Sequence, residues 1–482
     1  MNKTIRHASV FTLLLVVALL VRATWVQFYD SKALADDKLN RRNAIEQYAN
    51  PLGDIIVGGA AVTGSERTKG GDLKYKRTYK DGDLYSSVTG YSSQVYGATQ
   101  LEGIYKDVLD GTDNRLKNPL DTVTNKRADP GDVVTTIDPA VQKAAYKSLG
   151  DKKGAAVAVD PKTGKILGMV STPSYDPSDI SGSTDSKEWQ ALLKDEDKPM
   201  VNRALRQPLP PGSTFKLVVA AAALEDGLYG SADTGTDSPN PYTLPGTRTV
   251  LKNESASAPC ENATIRTALQ YSCNNVFAKM AVDLGQDKVK SMAEKMGFNT
   301  DKLDVPVRAS ESVYPSDMDK AQTALTGIGQ FDVTATPLQM SMVSGAIANG
   351  GELVSPHMVS QITDSNGDVL DSFDDADSER VMSESTANQL QSAMETVVEK
   401  GTGTNAQISG ADVGGKTGTA QHGENNSKTP YAWFTSYAKG SDGKEVAVAV
   451  IVESSDAARS EVSGNGLAAP IARAMMSAAL KS

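Results

Sequence analysis

Residues 207–227 read QPLPPGSTFKLVVAAAALEDG. After Gly212 they carry a helix pattern that is apolar on every side until Glu225, Asp226 and the stop signal Gly227. A helix without a polar face has to be enclosed by other elements, so this chain must build a core all round residues 213–226. Its first turn nevertheless holds Ser213 and, three residues on, Lys216, the only charge before Glu225. That placement is the first clue to chemistry.

The rest of the chain supplies elements for such a core. With 482 residues it is long enough for two or three domains. Residues 31 to about 127 are polar and rich in Gly, Tyr and Thr, and DLYSSVTGYSSQVYGATQ predicts short strands and turns. LEGIYKDVLDG predicts a short helix closed by Gly111. Further on, PAVQKAAYKSL reads as a helix, and GAAVAVDPKTGKILGMVST as a hairpin of strands 155–159 and 165–172. A mostly helical stretch then runs to about Asn349. GGKTGTA, YAWFTSYA and KEVAVAVIVES read as successive strands, with an Asp442-Gly443 turn before the last. LAAPIARAMMSAALK closes the chain as a helix. Strands at both ends of a helical middle predict an α/β (α+β) fold, one sheet completed by distant segments with helices on its faces.

The N-terminus predicts an anchor. Ala8–Val21 is an uninterrupted apolar run of the length of a signal-peptide core. Past Arg22, ATWVQFY extends the span to about 21 residues, 8–28, with Trp25 and Tyr29 at the interface. No small-x-small cleavage site follows, which favours a retained anchor over a cleaved signal peptide. Lys3 and Arg6 keep residues 1–7 in the cytoplasm and the remainder outside, a single-pass protein of the cell membrane. The net charge of −10 and the lack of a Lys/Arg run exclude nucleic acid as the main partner. Three scattered histidines and two cysteines show no metal-ligand spacing, so no metal is expected.

On a helix, Ser213 and Lys216 share one face a turn apart. A lysine in dry surroundings loses stabilisation of its charged form, and the positive end of the helix pushes the same way. A neutral amine beside a hydroxyl is a general base that needs no histidine, and helix-start N–H groups suit an oxyanion. The plainer reading makes Ser213 a cap and Lys216 a solvated side chain. The bare pattern also recurs at Ser436/Lys439 and Ser441/Lys444.

Two further constellations tip the balance. QYSCNNVFAKMA holds Ser272-Cys273-Asn274, and GGKTGTAQ holds Lys416-Thr417-Gly418-Thr419. With Ser213-x-x-Lys216 they stand in the order and at the separations of the three motifs of the serine β-lactamase and penicillin-binding superfamily, which this chain resembles. TTIDPAVQ, AAVAVDPKTGKILGMVSTPSYDP, Asn202-Arg203-Ala204, GIGQ at 327–330 and TPLQM at 336–340 are similar to class B penicillin-binding proteins. DLYSSVTGYSS and the compact N-terminal module point to the actinobacterial penicillin-binding protein A group. The resemblance is strong over about residues 130 to 480 and loose before that. Two departures concern partner contacts and subfamily: Leu52 stands where many class B members have arginine, and Gly329-Gln330-Phe331 where Gly-Gln-Gly is usual.

The resemblance implies a transpeptidase domain over 151–482, with a central antiparallel sheet, flanking helices and an all-helical subdomain. A non-catalytic dimerisation or pedestal module over 29–150 would precede it. It implies a D,D-transpeptidase that cross-links peptidoglycan stem peptides ending in D-Ala-D-Ala and is acylated by β-lactams, without a cofactor. Ser213 would be the nucleophile and Lys216 its base. Ser272 would relay a proton to the leaving amine, and Asn274 would bond the donor peptide and Lys216. Lys416, Thr417, Gly418 and Thr419 would receive the terminal carboxylate, and the N–H groups of Ser213 and Thr419 the oxyanion. Glycan polymerisation would fall to a membrane polymerase partner of the shape, elongation, division and sporulation type. Cys260 and Cys273, both external in this topology, are expected to form a disulfide closing a loop of about 14 residues; two free buried thiols are the alternative.

Three other readings compete. A D,D-carboxypeptidase or β-lactamase on the same fold would use water as acceptor. An inactive penicillin-binding scaffold would not acylate. Gly410–Thr417 also satisfies the phosphate-loop pattern, but GTAQHGENNSKTP after it cannot sustain the required helix.

Overall fold

Apolar runs from opposite ends of the chain meet in one sheet. In the computed structural model, which describes residues 3–30, 41–117, 127–373, 376–423, 427–457, 459 and 461–482, strands Lys153–Val159 and Ile166–Thr172 pair with Ala411–Ala420, Tyr431–Gly440 and Glu445–Ser454. All neighbours are antiparallel, and Glu445–Ser454 joins the late strands to the early hairpin. Both faces of this strand are covered, which explains its unbroken VAVAVIV. Its period of two divides the core. Ala447, Ala449 and Ile451 pack with helix Pro337–Ala348, while Val446, Val448 and Val450 face the other way and pack with helix Ala469–Ala479.

The apolar helix is enclosed as its composition demands. Residues 216–223 are all buried, among helices Asn274–Leu284, Gln286–Lys295 and Glu384–Lys400. One expectation changes: the helix does not begin at Ser213. Gly212–Phe215 is a 3₁₀ turn, and the α-helix proper is Lys216–Glu225. Tighter winding brings residues i and i+3 into line, so Ser213 and Lys216 remain on one side.

DLYSSVT, expected as strand and turn, is helix Gly82–Thr89. Tyr85 and Val88, three apart, are buried against Leu101, and this packing overrides the weak helix propensity of Ser, Thr and Val. The short strands Ser92–Ser93 and Gly97–Ala98 follow, and two short helices, Gln100–Ile104 and Lys106–Leu109, replace the single one expected before Gly111. A second sheet runs Val369–Ser372, Val359–Thr363, Asp132–Thr135, Ile55–Val57, Ala60–Ala61. Its strands come from both sides of residue 150, and helix Pro139–Leu149 packs on the large sheet. At the N-terminus, helix Lys3–Trp25 starts five residues before the expected span, and none of its residues is buried. It is long and apolar enough to cross a membrane.

Candidate active site

Pro211, the 3₁₀ turn 212–215 and strand Ala411–Ala420 approach each other so closely that side chains are excluded between them. A Cβ on Gly418 would lie 2.9 Å from the Pro211 carbonyl and 3.0 Å from Trp433 Cβ. On the other side, a Cβ on Gly329 would lie 2.0 Å from the Gly212 carbonyl, and Gly329 holds a positive φ of 66°. Gly212 N–H donates to the Gly329 carbonyl at 3.0 Å. The serine turn is thereby held between the third-motif strand and the 327–331 turn. It adjoins a cleft of about 530 Å³ lined by Ser213, Asn274, Thr419, Glu254 and Phe331 among others.

The three sequence motifs converge through one chain of hydrogen bonds. Lys216 Nζ donates to the Ser272 carbonyl (2.8 Å), Asn274 Oδ1 (2.8 Å) and Ser272 Oγ (3.2 Å). Lys416 Nζ donates to the same Ser272 Oγ (3.0 Å), to the Thr417 carbonyl (2.8 Å) and to Thr417 Oγ1 (3.4 Å). Ser272 therefore bridges two lysines that lie 200 residues apart in sequence. Both lysines are fully buried, so Lys216 is not the solvated side chain of the plainer reading.

Burial pushes the Lys216 amine well below the usual lysine range, and the Lys416 charge adds to the effect, with Glu254 opposing. Burial pushes Lys416 down to about 8, again against Glu254. Two ammonium groups sharing one hydroxyl repel each other, which favours the neutral form of Lys216, the more strongly shifted of the two.

Ser272 sits in the left-handed region, φ 57°, unusual for a residue with a side chain. It joins helix Ile265–Gln270 to helix Asn274–Leu284. Cys273 beside it is bridged to Cys260. Strain held by a cross-link and a helix start is a pattern of functional sites. Sequence reasoning missed Thr402, whose Oγ1 lies 2.8 Å from Thr417 Oγ1. It also missed Asn253, whose Oδ1 accepts the Asn274 N–H at 2.6 Å. Neither belongs to a motif, and no spacing could reveal them.

Residues 154–477 match the family described as penicillin binding protein transpeptidase domain, and residues 52–133 the penicillin binding protein A dimerisation domain. The chain belongs to the penicillin-binding protein transpeptidase family. This penicillin-binding protein is 35% identical over 497 residues to peptidoglycan D,D-transpeptidase PbpA of Mycolicibacterium smegmatis, covering 100% of this chain and 99% of that one. Its fold is similar to penicillin-binding protein A of M. tuberculosis in a ceftriaxone acyl-enzyme complex, with a TM-score of 0.83 and 34% identity over 90% of this chain and 100% of the other. It is also similar to a D,D-transpeptidase domain from Eggerthella lenta, with a TM-score of 0.75 and 31% identity over 90% of this chain and 98% of the other.

Proposed function

We propose that this chain is a peptidoglycan D,D-transpeptidase, a cell-wall enzyme and β-lactam target, acting through a Ser213 acyl-enzyme. The observation that carries the reading is the Lys216–Ser272–Lys416 chain of hydrogen bonds, with Ser213 three residues before Lys216 and lining the cleft. The neutral Lys216 amine takes the Ser213 proton as Oγ attacks the carbonyl of the penultimate D-alanine. The N–H groups of Ser213 and Thr419 hold the oxyanion, a contribution worth about 10²–10³ in rate per donor in other enzymes. Lys416, kept charged, and the Thr417 and Thr419 hydroxyls receive the terminal carboxylate, with Gly418 leaving room for the strand's approach. Ser272 passes a proton to the leaving amine, the C–N bond breaks, and D-alanine departs. An acceptor amine then attacks the ester, the bond to Ser213 Oγ breaks, and the hydroxyl regains its proton.

The apolar N-terminal helix anchors the protein, with residues 1–7 cytoplasmic, 8–28 spanning, and both the 29–150 module and the 151–482 catalytic domain outside. Glycan strands come from a separate membrane polymerase.

Full-length protein in detergent, given a soluble pentapeptide ending in D-Ala-D-Ala and an amine acceptor, is expected to release D-alanine in step with new peptide bonds. D-Alanine release with free acid as sole product would instead establish a carboxypeptidase.

The two lysines also fix the pH profile. Lys416 loses its charge as pH rises through about 8, whereas an ordinary lysine would keep it to about 10.4. Second-order acylation by a penicillin, kcat/KM in the substrate case, should therefore fall on the alkaline side near pH 8. On the acid side it should fall as Lys216 takes up a proton. An alkaline limb near pH 10 would contradict the burial of Lys416.

A further inference from the structure

A short loop, 252–260, is fastened at both ends to the second motif. At its start, Asn253 Oδ1 accepts from the N–H groups of Asn274 (2.6 Å) and Asn275 (3.3 Å), and its Nδ2 donates to Asn275 Oδ1 (3.0 Å). Asn274 Nδ2 donates in turn to the Lys252 carbonyl at 2.8 Å. At its end, Cys260 is bridged to Cys273, and its carbonyl accepts from Asn275 Nδ2 at 2.8 Å. Between these clamps stands Glu254, exposed, lining the same cleft as Ser213, Asn274 and Thr419. Among the described residues it forms no ion pair, although its charge reaches both buried lysines. Nothing in donor recognition or acyl transfer employs this carboxylate.

We infer that Glu254 is a specificity-determining residue that receives the acceptor's ammonium group at the mouth of the Ser213 cleft. The inference rests on the transpeptidase reading and deepens it. At neutral pH an aliphatic amine arrives protonated, and a fixed carboxylate gathers it near the ester while water, being neutral, gains nothing. The ammonium sheds one proton to solvent. Its nitrogen then bonds to the acyl carbon, the bond from that carbon to Ser213 Oγ breaks, and the second proton goes to Oγ. In the donor half-reaction the nucleophile is Ser213 Oγ and no ammonium has to be gathered at the ester. Glu254 thus biases the acyl-enzyme toward cross-linking over hydrolysis. Lys252 shares the cleft lining, and its charge opposes the effect.

The test measures the fate of acyl-enzyme formed by full-length protein from a D-alanyl thioester, as the ratio of aminolysis to hydrolysis at pH 7. Two acceptors are compared: a lysine-containing peptide with a free ε-amine, and hydroxylamine, which is uncharged at that pH. With the peptide, Glu254→Gln should lower the ratio about tenfold, the scale of one charge-assisted contact. Glu254→Asp should recover part of it, and Lys252→Gln should raise it. With hydroxylamine, Glu254→Gln should match the wild type. An unchanged ratio for the peptide, or an equal fall for both acceptors, would overturn the inference. Failure of the wild type to form any acyl-enzyme would overturn the transpeptidase reading itself, and this inference with it.

Discussion

Ser213→Ala is expected to lose all covalent labelling by a fluorescent penicillin, and Lys216→Met to slow labelling about 10³-fold or more while keeping the fold. The first follows from removing the attacking oxygen. The second follows from removing the base, which alone is worth about 10²–10⁴, and from the way nucleophile and base act as one unit. Methionine keeps the length of the lysine stem in a site where Lys216 is fully buried. It leaves Asn274 Oδ1 and the Ser272 oxygens without that donor. Against this loss stands the removal of a polar amine from a fully buried position beside Lys416. The melting temperature of Lys216→Met should therefore stay near wild type or rise, the usual trade between stability and activity at a strained site. A variant that labels at the wild-type rate would remove Lys216 from the chemistry.

The second large effect concerns the Cys260–Cys273 bridge. Replacing both cysteines with alanine frees a loop of about 14 residues, which costs about 3 kcal/mol in the chain-entropy picture. The change should lower Tm by several degrees. It should also reach the chemistry, because Cys273 lies between Ser272 and Asn274, both bonded to Lys216. Ser272 needs its left-handed backbone to face two lysines, and the bridge is one of the constraints that hold it there. Acylation should slow together with the loss of stability. Equal Tm and equal acylation in the double variant would leave the bridge without either role.

Much of this site was legible in the sequence because its chemistry is local in three places. Ser213 and Lys216 are three apart, Ser272 and Asn274 two apart, and Lys416 to Thr419 contiguous, so each motif survives as a pattern of spacing. The sheet was legible for a similar reason, since VAVAVIV and AAVAV announce strands without outside help. What escaped depends on residues distant in the chain. Thr402 meets Thr417 through a turn, and Asn253 meets Asn274 across a bridged loop. Helix Gly82–Thr89 was hidden because its residues are poor helix formers individually, and only partners in other elements, Leu101 among them, reward Tyr85 and Val88 for sharing a face. The 3₁₀ turn under Ser213 reflects Gly212 and Gly329 in contact, a constraint that no single segment expresses.

The second sheet bears on how the molecule can be divided. Strand Val359–Thr363 pairs on one side with Val369–Ser372 and on the other with Asp132–Thr135, a strand that lies before the transpeptidase match. Cutting the polypeptide at residue 151 would strip that neighbour away and leave a bare row of amides and carbonyls, an open template for sticking to other copies. The front portion is thus a seam partner rather than a detachable stalk. A truncation should begin just past helix Lys3–Trp25 instead of at the edge of the transpeptidase match.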